Sequence, residues 1–438
     1  MYIDELDPKI YLPEKLLTTF RAGARVNTDS RTIKPGEIFI ALKGERFDGN
    51  NFVESCLANG AALAVTERNE PERPDNIVVV PDTLRTLQLL ALWYRKQLKT
   101  TVIAVTGSNG KTTTKELLNA VLSAKYRVAA TSGNLNNQIG VPLTLLSVPR
   151  DADYAIIEMG TNMKGEIALL SSIAAPDYGV ITNIGKAHLS GFGDEAGVFE
   201  EKTALYRWLD KNGGKIFLNA ADKLLASAAK GIGTVSYAVG YPADYRGTLI
   251  RSFPAVEISY TFKGNEYRIQ SRMPGAYNAQ NIMCAVAAGL HFGTEPKDIV
   301  QALENYSPSN QRSQWIKTEK NNVVMDAYNA NPSSMTAAIT EFASSGITGK
   351  VMILGDMFEL GEASAAEHKR IAQLALGSGI EKVIFVGPEF LKAVKPGVTA
   401  FSTNEECIRY LEQHSLEGKT IWVKGSRGMR LEELLPLL

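Results

Sequence analysis

The sequence lacks the features that mark several classes of protein. Its three cysteines, Cys56, Cys284 and Cys407, lie far apart without paired spacing, which excludes a disulfide framework and a thiolate zinc site. No apolar run approaches the roughly 18 residues of a membrane span. The acidic, proline-broken start MYIDELDPKIYLP lacks the basic and apolar segments of a signal peptide. We therefore expect a protein of a reducing, cytoplasmic compartment with no membrane span.

An excess of charge of one sign is also missing. The 47 lysines and arginines balance the 47 aspartates and glutamates, which leaves a formal net charge of zero. Without a general basic field the chain is not expected to bind nucleic acid. The 45% of hydrophobic and 21% of charged residues are typical of folded globular proteins. At about 150 residues per domain, the 438 residues predict roughly three domains.

The hydrophobic pattern predicts an N-terminal unit at 1–81 that is a small α/β module. Its strands are expected in GEIFIAL (36–42), ALAV and IVVV, with a short helix at 50–60. A helix at 82–98, capped by Asp82, then leads into the next unit.

Two larger units follow, at 82–311 and 312–438. The central unit has the strands TVIAVT, YAII and GVIT alternating with helices, then a hairpin of VEISYTF and EYRIQS and a last helix at 278–293. This alternation predicts a mostly parallel sheet covered on both faces. The third unit repeats strand then helix through NVVMD, KVMIL, KVIFV and TIWVK, which predicts a small doubly wound, Rossmann-like sheet. The fold class is therefore α/β throughout.

The strongest local motif is TGSNGKTT (106–113), between a buried strand and a helix. There, glycines let backbone N–H groups approach phosphate, the helix N-terminus adds positive charge, a lysine reaches the outer phosphates and a threonine can bind magnesium. Val105 replaces the first glycine of the full P-loop pattern, so only the shorter form is present, and a structural glycine turn is the alternative. The candidate phosphate-binding residues are Gly107, Ser108, Asn109, Gly110, Lys111, Thr112 and Thr113.

Three further residues could serve phosphoryl transfer, and each has a structural alternative. Glu158 ends an apolar strand and is a candidate magnesium ligand, although strand-end glutamates are more often solvated. His188 follows another strand and could bind metal or be a hydrogen-bonded structural histidine. Lys202, in VFEEKTALY, has the pattern of an exposed helical lysine paired with glutamates.

Taken in order along the chain, ten motifs resemble those of the ATP-dependent Mur ligases of bacterial cell-wall synthesis. Three of them, DAYNANPSSM, LGDMFELGE and VKGSRGM, are similar to the type that adds D-alanyl-D-alanine. The other seven are TDSR (28–31), GEIFIALKGERFDG (36–49), TGSNGKTTTK (106–115), GNLNNQIGVPLTLL (133–146), EMGTN (158–162), ITNIGKAHLSGFG (181–193) and GAYNAQN (275–281).

This resemblance implies a three-domain architecture and a set of metal ligands. Glu158 and Thr112 are implied to hold one magnesium ion and His188 a second. Lys202 matches a lysine that carbon dioxide carbamylates, which turns a cation into a carboxylate-like ligand. The family's Lys-Gly-Glu at this point reads Lys202-Thr203-Ala204 here.

The resemblance also implies binding residues for three substrates. ATP contacts are implied for Asn278 and Asn281 near adenine and for Arg312 and Asp326 near the phosphates and ribose. The structural alternative for Asn278 and Asn281 is a helix cap and a polar residue on a helix face. One acid of the family's usual pair before the tyrosine is Met325 here, and Asn50 stands in place of a common histidine, which leaves the role of Asn50 open. The implied UDP-muramoyl contacts are Ser30, Arg31, Lys43, Gly44, Asn134 and Asn137, and the implied acceptor contacts are Tyr328, Asn329 and Asn331.

The implied activity is ATP-dependent addition of D-alanyl-D-alanine to a UDP-N-acetylmuramoyl tripeptide by a cytoplasmic monomer. A folylpolyglutamate-type ligase shares the motif at 106–113, the phosphate loop. The segments YNANP and LGDMFELGE argue against this alternative. A nucleotide-dependent switch is the alternative from another class. The Asn-Lys-x-Asp guanine reader of GTPases does not occur in the sequence.

Overall fold

The N-terminal part of the chain forms a small parallel sheet. The computed structural model describes residues 3, 7–45, 47–69, 74–186, 189–309 and 311–438. The first elements are α1 (Pro8–Tyr11), α2 (Glu14–Arg21), β1 (Val26–Asn27), β2 (Ile38–Ile40), β3 (Lys43–Gly44), β4 (Phe47–Asp48), α3 (Val53–Ala58), β5 (Leu63–Thr66) and β6 (Ile77–Val79). Strands β1, β2, β5 and β6 form the N-terminal sheet in that order, and β3 and β4 form a separate antiparallel pair. The predicted strands and helix are confirmed, with a 3₁₀ turn at Gly49–Phe52 before the helix.

A larger, mostly parallel sheet follows. This central sheet contains β7 (Thr101–Thr106), β8 (Val128–Ala130), β9 (Tyr154–Glu158), β10 (Tyr178–Ile181), β11 (Lys215–Asn219), β12 (Gly233–Val239), β13 (Tyr245–Arg251), β14 (Glu257–Phe262) and β15 (Asn265–Gln270). Its strands run in the order β15-β14-β13-β12-β11-β10-β7-β9-β8, with β14 and β15 antiparallel, which confirms the predicted hairpin. The helices of this part are α4 (Thr83–Arg95), α5 (Lys111–Ser123), α6 (Gly140–Leu146), α7 (Glu166–Ala174), α8 (Leu189–Phe192), α9 (Glu195–Lys202), α10 (Ala204–Asn212), α11 (Lys223–Ala228), α12 (Tyr277–His291) and α13 (Pro296–Asn305).

Helices cover both faces of the central sheet, as predicted. Along β7, Val102 and Ala104 point into a core with α4, α6 and α7, whereas Ile103 and Val105 point into a core with α5 and α12. This alternation follows from the two-residue period of a strand. The β-branched run TVIAVT is therefore buried on both sides and fixes the strand that enters the phosphate loop.

Helix α4 joins the N-terminal and central sheets through one apolar core. Asp82 caps α4 as predicted, because its side chain accepts a hydrogen bond from the Arg85 amide. Phe20 of α2 packs edge-on against Trp93 and Tyr94 of α4, with ring centroids 6.3 and 5.2 Å away. Core residues of both sheets lie in the same buried cluster. The two sheets therefore share a continuous core.

The C-terminal sheet has the order β16-β17-β21-β18-β19-β20, with β16 antiparallel at one edge and the other strands parallel. The four predicted strands are β17, β18, β19 and β21, and the short β16 and β20 are additions. Within the described residues, no helix is long and apolar enough to cross a membrane. The elements are β16 (Gln314–Lys317), β17 (Asn322–Asp326), α14 (Pro332–Ser344), β18 (Lys350–Gly355), α15 (Ser364–Leu376), β19 (Lys382–Val386), α16 (Pro388–Ala393), β20 (Ala400–Phe401), α17 (Asn404–Gln413) and β21 (Thr420–Lys424).

Candidate active site

A cavity of about 680 Å³ lies where the carboxyl ends of the central strands face the C-terminal sheet. The phosphate loop, Glu158 and two asparagines of α12 line it from the central side. Arg312, Asp326 and Tyr328 line it from the C-terminal side. Ligands of open α/β sheets bind at this edge because strand-to-helix loops converge there. The fold therefore brings most of the predicted nucleotide-binding residues into one cavity.

The phosphate loop is held in a fixed shape by the segment after β10. The Ser108 amide donates to the carbonyl of Asn183, and the Asn109 amide donates to the Asn183 side chain, both at 3.0 Å. Gly107 has a positive φ of 144°, and a Cβ there would collide with Thr182. Gly110 has φ 80° and precedes the first residue of α5. A loop held in this way at a helix N-terminus has a geometry suited to binding phosphate.

Lys111 folds over this loop. Its Nζ donates to the carbonyl oxygen of Gly107 at 2.7 Å. Burial lowers the pKa of Lys111 to about 8, with the nearby Glu158 charge opposing the shift and Arg312 adding to it. Phosphate oxygens in the cavity would favour the charged ammonium again. Lys111 is therefore placed to respond to a bound anion.

Glu158 and Thr112 meet the requirements of a magnesium site. Glu158 is buried at the end of β9, and its Oε1 accepts from Thr112 Oγ1 at 3.1 Å and from Asn136 Nδ2 at 2.8 Å. Its Oε2 is buried with no hydrogen-bond partner among the described residues. A buried carboxylate oxygen without a donor suits a hard cation, and a threonine hydroxyl adds a neutral oxygen ligand. The donor set therefore fits Mg²⁺.

The rest of the predicted metal site is only partly described. His188 lies outside the described residues. In the part of the chain that the structure covers, no three His, Cys, Asp or Glu side chains form a metal-binding group.

Lys202 is a buried lysine at the end of α9. Only 1% of it is exposed, which excludes the alternative of an exposed helical lysine. Burial, and secondarily the charge of Lys111, hold the pKa of Lys202 well below its usual value, against the opposing effect of Glu201. Lys202 itself is absent from the described cavity lining.

Asn278 and Asn281 line the cavity on the first turns of α12, and their amides already have protein partners. Asn278 Nδ2 donates to the Pro274 carbonyl at 2.7 Å, and Asn281 Nδ2 donates to Asn278 Oδ1 at 3.0 Å. Asn281 Oδ1 accepts from Thr114 Oγ1 of α5 at 3.2 Å. Asn281 therefore ties α12 to the helix that follows the phosphate loop, which agrees with the alternative of a polar residue on a helix face.

The C-terminal side of the cavity is built around Tyr328. The guanidinium of Arg312 lies 3.6 Å from the Tyr328 ring centroid. Asp326 forms an ion pair with Lys424 at 2.7 Å, and Lys424 also donates to the Asn329 carbonyl at 3.3 Å. Sequence reasoning missed Lys424 as a site residue, although it stands in the motif VKGSRGM.

Asn331 does not line the described cavity. It caps α14, because its Oδ1 accepts from the Ser334 amide at 2.9 Å. Its Nδ2 donates to Asn109 Oδ1 of the phosphate loop at 2.7 Å. The predicted acceptor residue thus connects the C-terminal sheet with the phosphate loop, whereas Tyr328 and Asn329 line the cavity.

Other cavity-lining residues were also missed. The signal that could have found them is their position inside the motifs that resemble those of the Mur ligases. They are Asn136, Thr161, Asn162, Asn183, Ser333, Ser334 and Glu359.

The residues predicted for the UDP-muramoyl substrate divide into two groups. Asn134 and Asn137 line the cavity. Ser30, Arg31, Lys43 and Gly44, all within the described residues, do not. Arg31 is exposed and pairs with Asp29 at 2.7 Å.

Asn50, whose role the resemblance leaves open, forms hydrogen bonds within the N-terminal part of the chain. Its Nδ2 donates to Asp48 Oδ1 at 2.7 Å, and its Oδ1 accepts from Thr66 Oγ1 at 2.6 Å. Asn50 therefore fastens the turn after β4 to β5.

Fold and site together define a nucleotide-binding enzyme of three α/β parts, with its phosphate loop facing a Rossmann-like sheet. Models of the Mur ligase family match almost the whole chain: the catalytic domain at 24–95, the middle domain at 105–289 and the glutamate ligase domain at 311–427. The UDP-N-acetylmuramoyl-tripeptide–D-alanyl-D-alanine ligase of Bacillus subtilis is 39% identical over 94% of this chain and 92% of its own length. The chain belongs to the Mur ligase family.

Solved structures agree with this assignment. MurF of Acinetobacter baumannii superposes with a TM-score of 0.86 at 34% identity, covering 94% of this chain and 92% of that one. MurF of Thermotoga maritima in complex with ADP gives a TM-score of 0.85 at 26% identity, covering 94% and 96%. The three-domain Mur ligase architecture expected from the sequence is confirmed.

Proposed function

We propose that this protein is an ATP-dependent ligase that joins D-alanyl-D-alanine to the tripeptide carboxylate of UDP-N-acetylmuramoyl-tripeptide in peptidoglycan synthesis. The observation that carries the proposal is the cavity in which the phosphate loop and Glu158 face Arg312 and Asp326. The identity to the Bacillus subtilis ligase over nearly the full chain supports the choice of substrates.

The reaction requires activation of a carboxylate. An anionic carboxylate resists attack by an amine, so the γ-phosphoryl group is first transferred to it, which gives an acyl phosphate and ADP. The dipeptide amine then attacks the acyl carbon, and phosphate leaves from a tetrahedral intermediate. The catalytic demand is therefore charge neutralisation and alignment at the phosphoryl group.

The residues of the cavity divide this work. Backbone amides of the phosphate loop and the Lys111 ammonium hold the phosphate oxygens and spread their charge. Thr112 and Glu158 would hold magnesium, with His188 and a carbamylated Lys202 serving a second ion, and the metal would neutralise the transferring phosphoryl oxygens. Arg312 and Asp326 contact the nucleotide from the C-terminal side, and Asn278 and Asn281 lie near the base.

Carbamylation of Lys202 is consistent with its buried environment. Only an unprotonated amine attacks carbon dioxide, and the lowered pKa of Lys202 favours that form. The amine nitrogen bonds to the carbon of CO₂ and a proton is released, which leaves an anionic carbamate. The carbamate would supply oxygen ligands to a metal ion, whereas the protonated lysine would repel it.

The three parts of the chain take different substrates in this proposal. Residues 1–81 bind the uridine diphosphate end through Ser30, Arg31, Lys43 and Gly44, and residues 82–311 bind ATP. Residues 312–438 bind the acceptor through Tyr328 and Asn329, with Asn331 positioning this part against the phosphate loop. Asn134 and Asn137 face the muramoyl peptide, and the enzyme acts as a cytoplasmic monomer.

Acceptor selectivity tests the function. A dipeptide has an amide that a single amino acid lacks. A pocket that forms hydrogen bonds to this amide would leave its own polar groups unpaired when a single amino acid binds. Each unpaired group weakens binding by about 1 to 3 kcal/mol. We expect phosphate release with a fixed UDP-muramoyl tripeptide to be fastest with D-alanyl-D-alanine and far slower with D-alanine, L-alanine or D-glutamate. Omission of the UDP substrate is the control. A similar kcat/KM with a single amino acid would reduce the assignment to the family alone, and stimulation by a folate and glutamate would replace it.

A further inference from the structure

The segment between β10 and α9 contacts the C-terminal sheet at two points. The Lys186 amide donates to Ser333 Oγ, in the first turn of α14, at 2.9 Å. The Ser190 amide donates to the Glu359 carbonyl, in the loop after β18, at 3.3 Å. A Cβ at Gly185 would lie 2.8 Å from Ser333 Oγ, so the two backbones approach closely. This segment therefore forms part of the interface, or joint, between the central and C-terminal sheets.

The same segment also contacts the phosphate loop. The Gly185 amide donates to Ser108 Oγ, and Ser108 Oγ donates to the Gly185 carbonyl, both at 3.0 Å. Residues 184–186 thus lie between the phosphate loop and α14. A shift of the C-terminal sheet at Ser333 would move the groups that support Ser108.

One ion pair fixes this arrangement. Lys186 Nζ lies 2.7 Å from Glu367 Oε1 on α15, and the Glu367 side chain is only 9% exposed. The second carboxylate oxygen, Oε2, accepts from Arg370 Nε of the same helix at 2.7 Å. Arg370 therefore orients Glu367 within its own sheet, and the remaining oxygen points at the cation across the joint.

We propose that Lys186 and Glu367 are a positioning pair that aligns the C-terminal sheet with the phosphate loop for phosphoryl transfer. The proposal rests on the proposed function, because alignment matters only if both sides of the cavity act on one nucleotide. Neither residue lines the described cavity, so their effect passes through the hydrogen bonds of Gly185 and Ser333. The pair acts on kcat more than on the KM for ATP, since the phosphate loop binds ATP without it.

A double-mutant cycle tests the pair. Lys186→Gln and Glu367→Gln should each lower kcat for dipeptide ligation about fivefold, as expected for loss of a partly exposed ion pair. The double variant should be no slower than either single variant, because both remove the same interaction. Lys369→Gln is the matched control: it removes an exposed cation from the same helix, which no contact across the joint involves, and should change kcat less than twofold. Losses that multiply in the double variant, or an equal loss in Lys369→Gln, would overturn the proposal.

Hydrogen exchange supplies a readout that is independent of ligation. The Lys186 amide, bonded to Ser333, should exchange about fivefold faster in Glu367→Gln than in wild type without any substrate, and Lys369→Gln should match wild type. Unchanged exchange in Glu367→Gln would overturn the positioning role. If wild type lacked ligase activity but the exchange difference appeared, the proposed function would fail while the contact across the joint would stand.

Discussion

The two joints between the three sheets differ in chemistry. The N-terminal joint is apolar: Phe20, Trp93 and Tyr94 pack within a core that continues into the central sheet. The joint around the cavity depends on polar contacts, such as Asn331 with Asn109 and Lys186 with Glu367. Opening an apolar interface exposes apolar surface to water, which is unfavourable. When a polar interface opens, water can replace its hydrogen bonds at little net cost. The first joint therefore suits a permanent scaffold and the second suits a site that substrates must enter.

One apolar contact also links the central and C-terminal sheets. Phe253, in the loop between β13 and β14, packs against Trp315, Phe342 and Trp422 with ring centroids 5.6 to 6.0 Å apart. It does not line the described cavity. Phe253 thus adds an apolar contact between the two parts to the polar contacts around the cavity.

The largest expected effect comes from the phosphate loop. Lys111→Ala should lower kcat about a thousandfold, or about 4 kcal/mol, because the ammonium that neutralises the phosphoryl oxygens is lost. The melting temperature should stay near that of wild type, since the side chain contributes little apolar packing. Lys211→Ala, at an exposed lysine of α10, is the control and should be fully active. Turnover near wild type in Lys111→Ala would remove the phosphate-site assignment.

The apolar joint should respond in the opposite way. Phe20→Ala should lower the free energy of unfolding by about 3 kcal/mol, because a buried ring is lost and a cavity remains. Phe20→Leu should cost less. Urea unfolding measures the change, and kcat at a temperature where the variant is folded should remain within about twofold of wild type. Loss of kcat in the folded variant would show that the joint is not a passive scaffold.

Lys202→Ala should lower kcat about a hundredfold, or about 2.7 kcal/mol, because the carbamate ligand is lost. A short carboxylic acid should restore part of the rate by supplying oxygen ligands in the vacated space, and a short alkylamine, as the control, should not. Full activity of Lys202→Ala would contradict the carbamate assignment.

The smallest expected effect concerns Asn331, which caps α14 and also donates a hydrogen bond to Asn109. Asn331→Ala should cost about 1 kcal/mol of stability through loss of the α14 cap. Asn331→Asp keeps the capping oxygen but loses the amide donor to Asn109. It should melt like wild type and still lose a few-fold in kcat. Equal activity of Asn331→Asp and wild type would mean that the contact across the joint does not matter.

The sequence by itself determined the sheets and the phosphate loop because their signals are local. TVIAVT, four later β-branched strands and the Asp82 cap depend on neighbours a few residues away, and all were confirmed. The short strands β1, β8, β16 and β20 were missed because two to four residues hold no detectable period. The longer central strands β11, β12 and β13 were not predicted either.

Only the tertiary structure decided which side chains meet. The burial of Lys202, the pairing of Asp326 with Lys424 and the bond from Asn331 to Asn109 join distant parts of the chain. Desolvation and hydrogen bonding depend on distances in space, and a local pattern contains no such distances. A lysine that looked exposed by its helical pattern is therefore a buried amine with a lowered pKa.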